Sequence, residues 1–287
     1  VRFRLEGIMN DKIVAFYPGK NFPAISITGS YCSLMCDHCR GVYLRDMITA
    51  ISPEALLSVA ASIISQGAEG ILLSGGSNAE GRVELDRFVP AIKEIKKMGL
   101  KVNVHTGLLT PDAIPPLVEA DPAVFSVDVV GDEKVIKNIF HLEATPADYM
   151  NAIELLFDNG AKKVVPHFCL GLSEDPEKDR DVFDLLSGFP ISAFVIILFR
   201  PTPGTPLFDR RPPDESNIVD FVNTAVDLLH CPILIGCMRP RGNWKIEIEC
   251  ARSGVAGIAL PSRRTIERLK ELDYKIEARK CCCALYR

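Results

Sequence analysis

Three cysteines share one short stretch, Gly29-Ser30-Tyr31-Cys32-Ser33-Leu34-Met35-Cys36-Asp37-His38-Cys39-Arg40-Gly41, where Cys32, Cys36 and Cys39 are spaced C-x3-C-x2-C. The other seven cysteines fall at 169, 231, 237, 250, 281, 282 and 283. This is clustering rather than the dispersed spacing of a disulfide framework, and it reads as reduced thiols directed at a metal. Soft sulfur ligands suit iron–sulfur clusters and zinc. Three thiolates on a four-iron cube leave one iron open to a small molecule, unlike a closed four-thiolate cluster that only passes electrons. The alternative for the same residues is a structural zinc knuckle with a fourth ligand such as His38.

Either chemistry needs a rigid mount. From Ala24 onward, short β-rich apolar runs alternate with longer amphipathic stretches, the pattern of repeated βα units on a parallel sheet. The spacing predicts strands at Ala24–Thr28, Gly70–Leu73, Lys101–His105, Ala123–Val129, Lys163–Leu170, Ala193–Phe199, Ile233–Cys237 and Val255–Ala259. It predicts helices at Pro53–Gln66, Leu85–Met98, Pro111–Ala120, Pro146–Asn159, Pro176–Ser187, Glu215–Leu229, Trp244–Ser253 and Pro261–Leu272. Several open on proline and several end at glycine, as helix termini prefer. Eight of each over residues 24–272 fit an α/β fold of the (β/α)8 TIM-type barrel, which takes about 250 residues. An open dinucleotide-binding sheet would carry a glycine fingerprint after the first strand, where this chain carries cysteines. The expected division is an N-terminal extension over 1–23, a barrel over 24–273 and a Cys-rich tail over 274–287. Barrel chemistry sits on the loops that follow the strands, so the cysteine loop stands at the expected catalytic mouth.

Further segments lie at the tips of later strands. Leu73-Ser74-Gly75-Gly76-Ser77 follows the second, and Ser126-Val127-Asp128-Val129 ends the fourth, with Ser126 and Asp128 on one face at a spacing of two. A buried sheet aspartate without a ligand is costly; its other use would be as a cap for a helix or turn starting near Asp132. The fifth strand reads Val165-Pro166-His167-Phe168-Cys169-Leu170-Gly171-Leu172, and the sixth runs Ile197-Leu198-Phe199-Arg200 into Pro201-Thr202-Pro203-Gly204-Thr205-Pro206. With the triad, these segments resemble the radical S-adenosylmethionine (SAM) superfamily, in its biotin synthase and lipoyl synthase-like branch.

The resemblance implies a [4Fe-4S] cluster on Cys32, Cys36 and Cys39. SAM would chelate the open iron through its methionyl amine and carboxylate, and an electron from the cluster would cleave its S–C5′ bond. The 5′-deoxyadenosyl radical so formed abstracts hydrogen from an unactivated carbon. By the same resemblance, the backbone of Gly75, Gly76 and Ser77 lies against the methionyl amine, where close approach needs glycine. The acidic residue usual after these glycines is replaced by Ser77 and Asn78. His38, where an aromatic is usual, belongs beside the adenine, Ser126 and Asp128 at the ribose hydroxyls, and Phe199 at the cofactor.

Sulfur insertion is common in this branch and calls for an auxiliary iron–sulfur cluster. Cys237, in Gly236-Cys237-Met238-Arg239-Pro240-Arg241-Gly242, ends the seventh strand at the catalytic face. Cys281, Cys282 and Cys283 follow the last helix; from Tyr274 roughly eight extended residues span about 26 Å, enough to reach the mouth. Adjacent exposed thiols with no use would be an oxidation hazard. Cys237, Cys281, Cys282 and Cys283 are therefore the candidate auxiliary ligands, although three neighbours in an extended chain cannot all face one cube. Cys250 and Cys231 read as core or barrel-base residues. The segments after strand seven and the tail resemble the split, two-protein lipoyl synthases. The expectation is a sulfurtransferase acting on a protein-bound octanoyl chain, with a reducing donor such as ferredoxin, a second radical SAM subunit, and an acyl carrier or lipoyl domain as substrate. Arg200, Arg239 and Arg241 could receive that acidic domain or a carboxylate. Mutase, methyltransferase or cofactor-maturation chemistry, and a zinc-bound scaffold, are the alternatives.

Composition narrows the partners. The 287 residues carry 33 basic and 37 acidic side chains, net −4, which gives no electrostatic reason to bind nucleic acid. An apolar fraction of 47% supports a large core, and no run approaches the roughly 20 apolar residues of a membrane helix. The stretch from Val1 to Asp11 has no apolar signal core; the expectation is a cytoplasmic protein without membrane contact.

Overall fold

Alternation along each strand sorts the side chains into two cores. The computed structural model describes residues 11–286. In β6 (Val124–Val129), Phe125, Val127 and Val129 join a large apolar cluster shared with the helices, while Val124, Ser126 and Asp128 take the opposite face. In β5 (Lys101–His105), Val102 and Val104 go to the helices and leave Asn103 and His105 on the other side. In β7 (Val164–Leu170), Phe168 and Leu170 face outward, Val165 and His167 inward.

The remaining strands are β1 (Lys12–Phe16), β2 (Ala24–Ser26), β3 (Ile48–Thr49), β4 (Gly70–Ser74), β8 (Phe194–Leu198), β9 (Ile233–Ile235), β10 (Gly257–Ala259) and β11 (Lys275–Arg279). All are parallel, in the order β11-β1-β10-β9-β8-β7-β6-β5-β4-β2-β3. A second, smaller cluster joins Val14 and Phe16 of β1 to Val124 of β6 and Val165 of β7. These strands lie far apart in the order, so the sheet must curl to bring them together around a lumen. The α/β barrel-type architecture is the expected one, and each of the eight expected strands is present.

Three strands were not foreseen. Residues 12–16, expected in the N-terminal extension, form β1 between β10 and β11, and residues 275–279 of the expected tail form β11. Among the described residues the ladder has edges at β3 and β11 instead of closing on itself. β11 reads Lys-Ile-Glu-Ala-Arg, and its charged residues pair with neighbours, Lys12–Glu277 and Lys275–Asp11 both at 2.7 Å. Charge of this kind is how an edge strand resists further pairing, and it hides the apolar signal of a strand.

Helices cover the outer face: α1 (Pro53–Ser65), α2 (Val89–Lys97), α3 (Ile114–Glu119), α4 (Glu133–Asn138), α5 (Pro146–Asp158), α6 (Pro176–Leu186), α7 (Glu215–Leu228), α8 (Trp244–Ser253) and α9 (Arg263–Glu271). Sequence punctuation sets their starts. Ser52 caps α1 by accepting from Ala55 N–H, Thr145 and Asp148 form a capping box on α5, and Ser262 caps α9. α2 begins later than expected because Pro90 cannot donate back along the helix; residues 86–88 form a 3-10 turn instead. The short α4 was missed; Asp132 caps it by accepting from Lys134 N–H at 2.9 Å.

Candidate active site

The loop between β2 and β3 carries the triad and is held by three neighbouring loops. Cys39 and Arg40 N–H both donate to the Cys36 carbonyl, at 3.1 and 2.9 Å, which winds the loop so that its thiols share one side. Ser33 N–H donates to Ser77 O at 2.8 Å, Asp37 N–H to Ile139 O at 2.9 Å, and Leu207 N–H to Asp37 O at 3.3 Å. The glycine segment after β4, the connection between α4 and α5, and the loop after β8 thus each fix one part of it. Met35 and Arg40 adopt left-handed backbone, φ 46° and 45°, to complete the turns.

All three thiols line a cavity of about 310 Å³ at the C-terminal ends of the strands, a volume at the lower end of the roughly 300–1,000 Å³ of small-molecule sites. The Cys36 thiol hydrogen-bonds the Cys39 sulfur, which pulls Cys39 down to about 4 against its burial, with His38 adding to the effect. Cys36 is correspondingly pushed far above the ordinary thiol range by that same bond, by burial and by the neighbouring sulfurs. Three soft donors on one wall suit an iron–sulfur cube. Among the described residues no three His, Cys, Asp or Glu side chains already close on an ion-sized point, so the assignment stands on donor type, spacing and the shared wall.

The glycine segment completes that wall. Gly76 N–H donates to Thr28 Oγ1 at 2.7 Å, and a Cβ on Gly76 would stand 2.0 Å from the Tyr31 carbonyl oxygen and 2.6 Å from Cys32 Cα. Only glycine lets the segment pack there. Gly75 and Ser77 also line the cavity. His38 lies against Phe140, ring centroids 5.3 Å apart, and its Nδ1 is buried without a partner. An aromatic slot with an unpaired nitrogen fits a planar heterocycle. Phe199 forms part of the far wall, with the Arg210 guanidinium 5.8 Å from its ring. These features fit a [4Fe-4S] cluster on Cys32, Cys36 and Cys39 with SAM beside it.

Ser126 and Arg239 are placed otherwise than expected. Ser126 is fully buried and donates to Asn103 Oδ1 at 2.8 Å, so it does not reach the cavity. One strand period puts it about 6.6 Å nearer the base than Asp128. Asp128 does line the cavity, but its Oδ1 is 3.1 Å from His105 Nε2. Arg239, expected to receive a carrier domain, is 1% exposed and locked to Glu247 at 2.5 Å and to the Gly236 and Ala259 carbonyls. Burial of a guanidinium requires such complete pairing, which makes it a strut. Arg241 donates to Cys237 O and Leu260 O, whereas Arg200 borders the cavity above the Tyr43 ring.

The tail does not climb to the mouth. After β11 it turns into the lumen at the base, where Cys283 and Ala284 join the smaller core and Asn103 Nδ2 donates to Cys282 Sγ at 3.5 Å. Cys281, Cys282 and Cys283 therefore do not line the cavity of the triad. Cys283 and Ala284 pack there against side chains of β1, β6 and β10. Cys282 is brought down to about 7 by the Cys283 thiol, the Ala284 amide and Asn103, against its burial. Cys237 is exposed, yet desolvation by the protein around it pushes its thiol up, and the Cys282 sulfur acts on it in the same direction. Cys250 is buried and Cys169 borders the cavity.

His105 and His167 were not singled out as site residues, yet both line the cavity with their ring centroids 5.1 Å apart. The available signal was a polar residue on the lumen face of an otherwise apolar strand. Among the described residues, no helix is long and apolar enough to cross a membrane.

The Radical SAM superfamily domain matches residues 26–186, more than half of the chain. This chain belongs to the radical SAM superfamily. The match includes the triad, the glycine segment and Asp128; Phe199, Cys237 and the tail lie beyond it. Solved structures agree on the fold. Methylornithine synthase (PylB) superposes with a TM-score of 0.65 at 15% identity, over 94% of this chain and 85% of that one. The FeFe-hydrogenase maturase HydG from Carboxydothermus hydrogenoformans gives 0.65 at 16%, over 93% and 68%. Streptococcus suis SuiB bound to S-adenosylmethionine gives 0.57 at 14%, over 81% of this chain and 52% of that one. No curated protein matches in sequence. The triad loop, Gly76 and His38 all fall within the residues that match the superfamily.

Proposed function

We propose that this radical SAM enzyme abstracts hydrogen from an unactivated carbon and ends its reaction with sulfur insertion, on a protein-bound octanoyl chain. When bound, the cluster and SAM supply the 5′-deoxyadenosyl radical that removes the hydrogen atom. Everything else falls to the chain. Cys32, Cys36 and Cys39 would hold the cluster, Gly76 lets the backbone approach the methionyl group, and His38 with Phe140 offers a stacking face. Val83, Val129, Leu142 and Ile197 give the cavity apolar walls that exclude water from a reactive carbon.

The observation that carries the radical reading is the convergence of three thiols and a glycine cradle on one cavity wall. The sulfur reading is supported by Cys237, Cys282 and Cys283, thiols that act on one another inside the same barrel. Cys282 touches Asn103, one strand period below His105 at the cavity floor. An auxiliary cluster there, a carrier domain as substrate, a reducing donor such as ferredoxin and a second subunit belong to this reading.

The test is anaerobic reconstitution with iron and sulfide, followed by SAM, dithionite and an octanoylated lipoyl-domain peptide. Formation of 5′-deoxyadenosine together with a peptide heavier by sulfur is the expected result. Cys36→Ala abolishes both, whereas Cys282→Ala keeps 5′-deoxyadenosine and loses the sulfur product. Deoxyadenosine with an unaltered peptide would overturn the sulfur half alone. Bound zinc with no iron would overturn the whole reading.

A further inference from the structure

The cavity lined by the triad also carries His105, Asp128 and His167, which the triad's chemistry alone does not explain. His105 Nε2 donates to Asp128 Oδ1 at 3.1 Å, and 27% and 43% of the two side chains remain open, although both sit deep within the molecule. Burial opposes a charge on His105, but the Asp128 carboxylate outweighs it and the net direction is up. His167 behaves in the opposite way. Its Nδ1 donates to the Val165 carbonyl at 3.0 Å, which fixes the tautomer and leaves Nε2 as a bare acceptor. Burial first, and then the His105 charge, push it down to about 3, so it stays neutral. No described residue bonds His105 Nδ1 or His167 Nε2.

We propose that His105 and His167 are a positioning pair that holds a neutral donor–acceptor group of the substrate, a carboxamide, at the floor of the cavity. The chemistry excludes the ionic alternatives. A carboxylate can accept from His105 but sets its second oxygen against the bare lone pair of His167, and an ammonium can donate to His167 but offers no acceptor to His105 Nδ1–H, so each ion satisfies one ring and leaves the other unpaired. An amide satisfies both rings, its oxygen accepting from His105 Nδ1–H and its N–H donating to His167 Nε2. Two rings with centroids 5.1 Å apart can flank one edge of such a planar group. A site built to pair both functions discriminates strongly, because a ligand lacking either leaves a buried nitrogen unpaired. This pairing is independent of where the sulfur comes from; it requires only that the cavity hold the substrate.

The experiment is imidazole NMR on the 287-residue chain with labelled histidine, titrated with butyramide, butyrate and butylammonium. The chain has five histidines, and the two signals are assigned by their loss in single variants. Butyramide is expected to move the His105 and His167 signals together and saturably, with both ions at least about tenfold weaker. His105→Gln keeps a donor for Asp128 but removes Nδ1–H, and His167→Phe removes the acceptor. Each should weaken butyramide about five- to tenfold, one hydrogen bond's worth, while His167→Gln, which restores an acceptor near the Nε2 position, recovers most of it. Three probes that shift the wild-type signals alike would overturn the proposal, and so would a His167→Phe variant that binds butyramide as tightly as the wild type. Neither result bears on sulfur insertion, because no cofactor or turnover enters the measurement.

Discussion

Asp179 is 4% exposed and accepts the Gly171 N–H at 3.2 Å beside the cavity. Burial, outweighing the Gly171 bond and reinforced by the charge of Asp132, pushes its carboxyl from 3.8 up to about 7. A carboxyl that keeps its proton more tightly when folded favours the folded state at low pH. Above about pH 4 the unfolded chain ionises and the folded one does not, so this contribution is lost as pH rises to about 7 and is level beyond. Asp179→Asn keeps a carbonyl acceptor for Gly171 and removes the charge. Urea midpoints measured from pH 4 to 8 should show the variant matching the wild type at the acid end and exceeding it by about 2–4 kcal/mol at pH 8. Parallel curves would mean that Asp179 ionises freely in the folded protein. The same residue-scale reasoning separates Arg239 from Arg200. Both follow a strand and both carry the same charge, yet Glu247 from α8 claims the first, and no local sequence pattern shows that pairing.

At the scale of the element, the triad loop depends on the glycine segment that it packs against. Gly76→Ala would drive a methyl into the Tyr31 carbonyl and Cys32 Cα, both backbone, so the loop must move. Iron bound per chain after anaerobic reconstitution should fall by half or more. Gly188→Ala, with nothing within 4 Å of its Cβ, should leave iron unchanged. Equal iron in both variants would show that the loop tolerates displacement. The loop and its mount were legible because local chemistry defines them: three thiols at fixed spacing, glycines after a strand, and apolar runs bounded by Pro and Gly. What local pattern could not show was depth. Ser126 and Asp128 share a face by period, but only the register of β5 against β6 shows that Ser126 is spent on Asn103. β1 and β11 escaped for a related reason, since each is defined by its partner across the sheet and β11 carries the charges of an edge.

Across the whole molecule, the tail closes the base of the barrel. Cys283 and Ala284 pack with Val14, Phe16, Val124, Val165 and Leu234, a lumen core made by strands that no helix covers from inside. Arg279 fastens this segment by donating to the Tyr286 carbonyl, and Tyr17 N–H donates to Arg279 O at 2.8 Å. Ending the chain after Arg279 would open those apolar side chains to water from below. The expected cost is about 2–4 kcal/mol, from the small side chains lost and the lumen surface exposed. Replacing Cys281, Cys282 and Cys283 together by alanine keeps the backbone plug and gives up less, about 1–2 kcal/mol. Urea unfolding with an apolar dye separates the two cases: the truncated chain should bind dye in buffer, and the alanine variant should not. If both variants unfold at the same urea concentration and neither binds dye, the strands close the base unaided, and the thiols are the only reason for a tail in the lumen.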